Sequence, residues 1–192
     1  MDLTSITPGP EALRALSHPV RLKILGLLRV EGPSTASALA ARLGLNSGAT
    51  SYHLRQLAQH GFVVDDAERG NARDRWWKAA HQATRTAEDQ GVSPEGREAA
   101  DAFSQAVAIV HTDQLQQAVE ERPLLPVEWR PASMISDWGF RLTPARAQQL
   151  REALVALLDQ WHDEPDAEGA EDFVVAIHSY PLPGRVGTEE KS

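Results

Sequence analysis

The 192-residue chain has no cysteine. Disulfides and thiolate metal sites are therefore excluded, and a reducing, cytoplasmic setting fits. No run of about 18 apolar residues occurs, so no membrane-spanning helix is expected. The N-terminus lacks the basic-then-apolar layout of a secretion signal. There is no Gly-rich phosphate loop, no G-x-S-x-G elbow and no cluster of metal ligands. Ser51 and His53 lie two apart on a predicted helix and face different ways, so they form no catalytic pair. No enzymatic activity, catalytic residue or cofactor is assigned. The seven histidines (His18, His53, His60, His81, His111, His162 and His178) are scattered. His111 with Asp113 comes nearest to a ligand pair, but that spacing sends the two side chains to different helix faces. A transition metal wants three or four donors together, so no metal site is assigned.

Charge is unevenly distributed. The net charge of −8 argues against a nucleic-acid partner if read alone. Residues 1–80, however, hold ten Lys/Arg against seven Asp/Glu, and residues 81–192 hold nine against twenty. Only the first part suits a polyanion, and the acidic remainder is expected to face away from it.

The chain is organised around the stretch from Ser34 to Leu57, which reads as helix, tight turn, helix. Ala36, Leu39, Ala40 and Leu43 recur at helical spacing, and Gly44 ends the first helix because a left-handed cap costs glycine nothing. Asn46 or Ser47 can cap the second helix. There Thr50, Leu54 and Leu57 share one side, with His53 at its edge. Gly48, Ser51, Tyr52, Arg55, Gln56 and Gln59 share the other. Hydroxyl, amide and guanidinium groups on one face are what a helix needs to read base edges and hold phosphates.

Upstream, residues 1–9 are expected to fray, and Pro10 to Leu16 forms a short helix broken at Ser17-His18-Pro19. A helix from Val20 to Val30 follows, with Val20, Ile24, Leu27 and Leu28 inward and Arg21, Lys23 and Arg29 outward. Downstream, Phe62-Val63-Val64 and Arg75-Trp76-Trp77-Lys78 read as two strands of a hairpin around a polar turn. Arg69, Asn71, Arg73 and Arg75 lie on or beside its tip, where guanidinium groups suit phosphates or a narrow minor groove.

Residues from about Glu11 to Ala80 resemble the ArsR-like winged helix-turn-helix, the arsenic-repressor type. The resemblance rests on ALSHPVRLKILGLL for the opening helices and on SALAARLGLNSGATSYHLRQLAQHGFV for the helix-turn-helix and the step into the wing. RDRWWKAA matches the second wing strand. It covers about two-fifths of the chain. It implies a dimeric transcription regulator binding operator DNA. Asn46, Ser47, Gly48, Thr50, Ser51, Tyr52, His53, Arg55 and Gln56 are then the candidate contacts of the recognition helix. Arg69, Asn71, Arg73 and Arg75 are those of the wing. His53 matches the family's histidine, though its place beside the buried face favours a structural role. Tyr52 is either a contact or a packing residue. The cysteine metal sites of many such regulators are impossible here.

Residues 81–94 read as a linker. A long helix from Pro94 to about Glu121 carries the stripe Ala99, Ala102, Phe103, Ala106, Val107 and Val110, either internal packing or a dimer interface. The resemblance favours the interface, and a twofold pair of recognition helices would read half-sites one DNA turn apart. Beyond it, Ile135 to Leu142 and Phe173 to Tyr180 read as strands flanking a helix from Thr143-Pro144 to Trp161. Trp129, Trp138, Phe140 and Trp161 belong either to a core or to a small-molecule effector pocket.

The expected architecture is mainly α with a small β hairpin, a winged helix-turn-helix over 1–80. A linker over 81–94, a helical and strand-helix-strand dimerisation or effector region over 95–182, and a disordered tail over 183–192 complete it. The function expected is sequence-specific binding of double-stranded DNA by a homodimeric repressor. A small-molecule-responsive dual regulator and a winged-helix protein-interaction module are the alternatives.

Overall fold

A computed structural model describes residues 4–69, 75–86, 93–162, 164 and 166–187. The chain divides into two units, residues 1–125 and 126–192.

The first unit follows the order β1 (Ser5–Ile6), α1 (Pro10–Leu16), α2 (Pro19–Val30), β2 (Ser34–Thr35), α3 (Ala36–Leu43), α4 (Ser47–Gln59), β3 (Val63–Asp65), β4 (Trp76–Ala79), β5 (Ala83–Thr84) and α5 (Pro94–Glu121). Local chemistry sets the helix starts. Pro10, Pro19 and Pro94 open α1, α2 and α5, where a missing N–H is not needed. The side chains of Thr35, Asn46 and Ser93 each accept a backbone N–H of the first turn that follows. Gly44 ends α3 at φ 65°, the left-handed geometry expected of it.

Leu16, Ile24, Leu25, Leu28, Leu39, Leu54, Leu57, Phe62, Val63 and Trp77 form one buried cluster that ties α1–α4 to the hairpin. The wing strands lie within a residue of where their apolar runs placed them. β4 pairs antiparallel with β3 on one side (Val63 opposite Ala79) and with β2 on the other (Ser34 opposite Trp77). Ser34 and Thr35 were expected inside the first helix. They are strand instead, because Thr35 is the cap of α3 and a cap residue takes extended backbone.

Two further expectations are corrected in this unit. Within the stretch expected to fray and the stretch expected to be a linker, β1 pairs in parallel with β5, Ser5 opposite Ala83, while residues 1–3 and 87–92 lie outside the described residues. Arg29, expected outward, is half-buried and turned toward this pairing. Its Nε donates to the carbonyl of His81 (2.9 Å) and its Nη2 to the hydroxyl of Thr84 (2.8 Å). Burial lowers its pKa to about 10, still a cation at neutral pH.

Helix α5 spans the expected residues and packs on α1 and α2, so it belongs to the same unit as the helix-turn-helix. Lys23 on α2 donates to Asp113 on α5, and Arg14 on α1 lies 3.5 Å from Glu98. Ala99, Ala106 and Val110 are buried by the chain itself, while Ala102, Phe103 and Val107 are half-buried, with Phe103 against the main cluster. The small side chains of the stripe let α5 approach α1 and α2 closely, so Ala99, Ala106 and Val110 serve packing within the chain.

The second unit contains α6 (Pro144–Leu158), capped by Thr143 and started by Pro144 as expected. The segments 135–142 and 173–180 are not strands, which corrects the strand-helix-strand expectation. A strand exists only through a ladder partner, and these two segments do not pair with each other. The rings of Trp129 and Phe173 stack with centroids 6.3 Å apart. Apart from half-buried Trp129, Ser133 and Leu154, every described residue from 126 to 187 is exposed. Of the expected tail, residues 188–192 lie outside the described set.

Candidate nucleic-acid interface

Helix α4 is anchored through Thr50, Leu54 and Leu57, all buried. That anchoring turns Ser47, Gly48, Tyr52, Arg55 and Gln59 outward, with Ser51 and Gln56 half-buried beside them. Tyr52 keeps 51% of its surface exposed, so it is not a packing residue. Asn46 is exposed, but its side-chain oxygen is occupied by the N–H of Ala49 at 2.8 Å. Between Asn46 and Ser47, it is Asn46 that caps the helix. Thr50, named among the candidate contacts, is corrected. It is fully buried, and its hydroxyl donates to the carbonyl of Asn46 at 3.1 Å.

Ser51 and Arg55 form one wall of a groove of about 280 Å³. Thr35, Ala36 and Ser37 at the start of α3 and Arg75 and Trp77 on the wing side complete it. Three elements thus meet around one concave, hydroxyl- and guanidinium-lined surface. The first-turn N–H groups of α3 add partial positive charge to it. Among the described residues Arg55 has no hydrogen-bond or ionic partner, and it is exposed. Thr35 and Ser37 were missed at first. Their signal is the Ser-Thr-x-Ser cluster just before a periodic apolar run, which marks a helix start.

The wing arginines are in a different state. Arg75 Nε donates to Asp65 at 2.7 Å, and its guanidinium carbon lies 4.2 Å from the centre of the Trp77 ring. It is held flat on the wing by an ion pair and a cation–π contact. Arg69 lies 3.8 Å from Asp66. Asp66 is itself buried and also accepts Lys78 Nζ at 2.9 Å, which raises the Lys78 pKa. Asn71 and Arg73 lie outside the described residues.

His53 faces inward of this surface. Its ring centre is 4.8 Å from that of His18 and 5.5 Å from that of Tyr52. Its Nδ1 and the Nε of Arg21 are buried without a hydrogen-bond partner among the described residues. Desolvation, then the His18 and Arg21 charges, lower the His53 pKa. For His18 desolvation again leads, followed by Arg21. The His18 Nδ1 also accepts the N–H of Val20 at 3.2 Å, which caps α2. This favours the structural role for His53. Sequence spacing could not bring His18, Arg21 and His53 together, because the α2–α4 packing does so.

Helices α2, α3 and α4 in sequence, packed on one core and followed by a β hairpin, define a winged helix-turn-helix. Residues 16–65 match the family model described as a helix-turn-helix domain. No curated protein matches the chain. Among solved structures, the chain is similar to one titled a possible transcriptional regulator for arsenical resistance, at 25% identity over 55% of this chain and 93% of that one, with a TM-score of 0.32. It is also similar to apo-form ZitR from Lactococcus lactis, at 17% identity over 75% and 83%, TM-score 0.33. A third is the transcriptional regulator Tm0710 from Thermotoga maritima, at 11% identity over 73% of each chain, TM-score 0.31.

Proposed function

We propose that the protein is a DNA-binding transcription regulator of the ArsR-like kind, acting as a homodimeric repressor on a short inverted repeat in the cytoplasm. One observation carries this reading. Arg55, exposed and unpartnered among the described residues, stands on the outer face of α4 beside a groove walled by the α3 start and the wing. Helix α4 enters the major groove, and Ser47, Ser51, Tyr52 and Arg55 meet base edges or phosphates there. The groove between α4, α3 and the wing takes a backbone phosphate, which suits its hydroxyls, its guanidinium groups and the α3 dipole. The twofold pairing supplies a second recognition helix, because one alone reads only a few base pairs.

The test is selection of bound fragments from random duplex DNA by the purified protein, followed by titration of the selected site at several salt concentrations. An enriched inverted repeat, bound with a steep negative salt slope, is expected. Failure to enrich any sequence, with binding of a protein partner instead, would turn the reading to the interaction module.

A further inference from the structure

Helix α2 carries three cations, and two of them are spent within the chain. Lys23 is held by Asp113, and Arg29 by the carbonyl of His81 and the hydroxyl of Thr84. Arg21 is different. It is half-buried, its Nε is buried, and it has no hydrogen-bond or ionic partner among the described residues. Tyr52, exposed on the outer face of α4, is close enough to act on its charge. A guanidinium partly withdrawn from water without a counter-charge is costly, and an anion offsets that cost.

Ser51 and His53 lie on opposite flanks of α4, with Tyr52 between them. Ser51 faces the groove shared with the α3 start and the wing, whereas His53 faces His18 at the start of α2. A reading helix in the major groove lies between two phosphate backbones. The groove serves one of them. We infer that Arg21 and His18 hold a phosphate of the other backbone, and that holding it draws a proton onto His53. The inference rests on the DNA-binding reading of the proposed function and adds to it a second phosphate site and a response to pH.

The chemistry of the two rings assigns their roles. The Nδ1 of His18 accepts the N–H of Val20, so the proton of that ring sits on Nε2, which is left to donate to a phosphate. Protonating His18 on Nδ1 would break the α2 cap. His53 is under no such constraint, because its Nδ1 has no partner among the described residues. The groups facing His53 are His18 and Arg21 from α2 and Tyr52 on α4 itself. Among the described residues, no charged group of α1, α3 or β3, which also pack on α4, acts on either ring. Desolvation, then the charges of His18 and Arg21, keep His53 neutral at pH 7 when no DNA is bound. A phosphate against Arg21 offsets the guanidinium field and adds an opposite charge, which favours the imidazolium. Binding then takes up a proton, so affinity rises as pH falls.

The experiment titrates the full chain with the selected duplex and with an unrelated one, at several salt concentrations between about pH 8 and about pH 6. Wild-type affinity should rise roughly fivefold across that range, and calorimetry in buffers of different ionisation enthalpy should show net proton uptake on binding. His53→Gln should flatten the rise. Arg21→Gln should weaken both duplexes by the same factor, roughly tenfold at low salt, and reduce the salt slope by about 1. Its unfolding midpoint should stay with the wild type, since Arg21 has no partner to lose.

An unchanged affinity and salt slope in Arg21→Gln would overturn the inference. Binding by the wild type without proton uptake would do so as well, and that measurement needs no variant to fold. Inorganic phosphate that shifts the His53 ring-proton resonance as strongly as the duplex does, in wild type but not in Arg21→Gln, would make this a site for a free anion and overturn its assignment to DNA. These outcomes leave the selected duplex bound through α4 and the wing. A wild type that selects no duplex fails the regulator reading itself, and this inference falls with it.

Discussion

The imidazoles of His18 and His53 face each other at 4.8 Å between ring centres, one from the start of α2 and one from the middle of the reading helix. Desolvation and the neighbouring Arg21 hold both pKa values below the ordinary histidine value. The folded state therefore takes up its protons later than the unfolded chain as pH falls. The stability this arrangement contributes is complete above about pH 6.5, the unfolded value, and is lost as pH drops through the lower folded values. Urea unfolding midpoints of the full chain should fall between pH 7 and pH 5. His18→Asn keeps an acceptor for the Val20 N–H but cannot titrate, so it should flatten that acid limb. A midpoint independent of pH in the wild type would remove the coupling.

Arg55→Ala should weaken binding to the selected site by roughly tenfold to a hundredfold, the cost of about 1–3 kcal/mol for a lost base contact. Because Arg55 has no partner among the described residues, the unfolding midpoint should not move. An unchanged dissociation constant would place DNA elsewhere.

Asp65→Asn releases Arg75 from its 2.7 Å ion pair and removes one negative charge from the wing. At low salt, affinity for any duplex should rise severalfold, with a steeper salt slope, as measured by fluorescence anisotropy. Both partners are well exposed, so stability should change by about 1 kcal/mol or less.

Gly44→Ala tests the turn between α3 and α4. A Cβ there would meet nothing within 4 Å, so space is not the obstacle. The φ of 65° is, and the left-handed backbone should cost the unfolding free energy about 1 kcal/mol. A neutral substitution would show that the turn relaxes.

Ala99→Leu asks what the small-residue stripe of α5 packs against. Ala99 is fully buried inside the chain. Added bulk should cost about 1–3 kcal/mol of unfolding free energy even at concentrations where the protein is monomeric. A variant that loses association while its monomer keeps full stability would place the stripe in the subunit interface instead.

Local chemistry made much of the first unit readable. The helical spacing of Leu39 with Leu43 on α3 and of Leu54 with Leu57 on α4, the cap at Asn46, the stop at Gly44 and the apolar runs around Val63 and Trp77 each act within a few residues, so they show in the order of amino acids. Thr50 belongs to the same pattern. Its spacing marks the buried side, and its placing among the contacts followed the resemblance instead. The short pairings of Ser5 with Ala83 and of Ser34 with Trp77 were not readable. They join positions far apart, and two-residue strands leave no periodicity.

Taken by itself, the amino-acid order determined which segments become helices, where α3 stops and α4 starts, and which side of α4 is polar. These follow from backbone preference and from the separation of apolar from polar groups along one element. Tertiary packing alone decided that Arg29 is half-buried and bonded to His81 and Thr84, and that Arg55 has no partner among the described residues. It also decided that His18 meets His53, that Asp65 holds Arg75, and that Ala99, Ala106 and Val110 of α5 are buried within the chain. Each of those outcomes depends on which distant element arrives against a given face, and no local spacing carries that information.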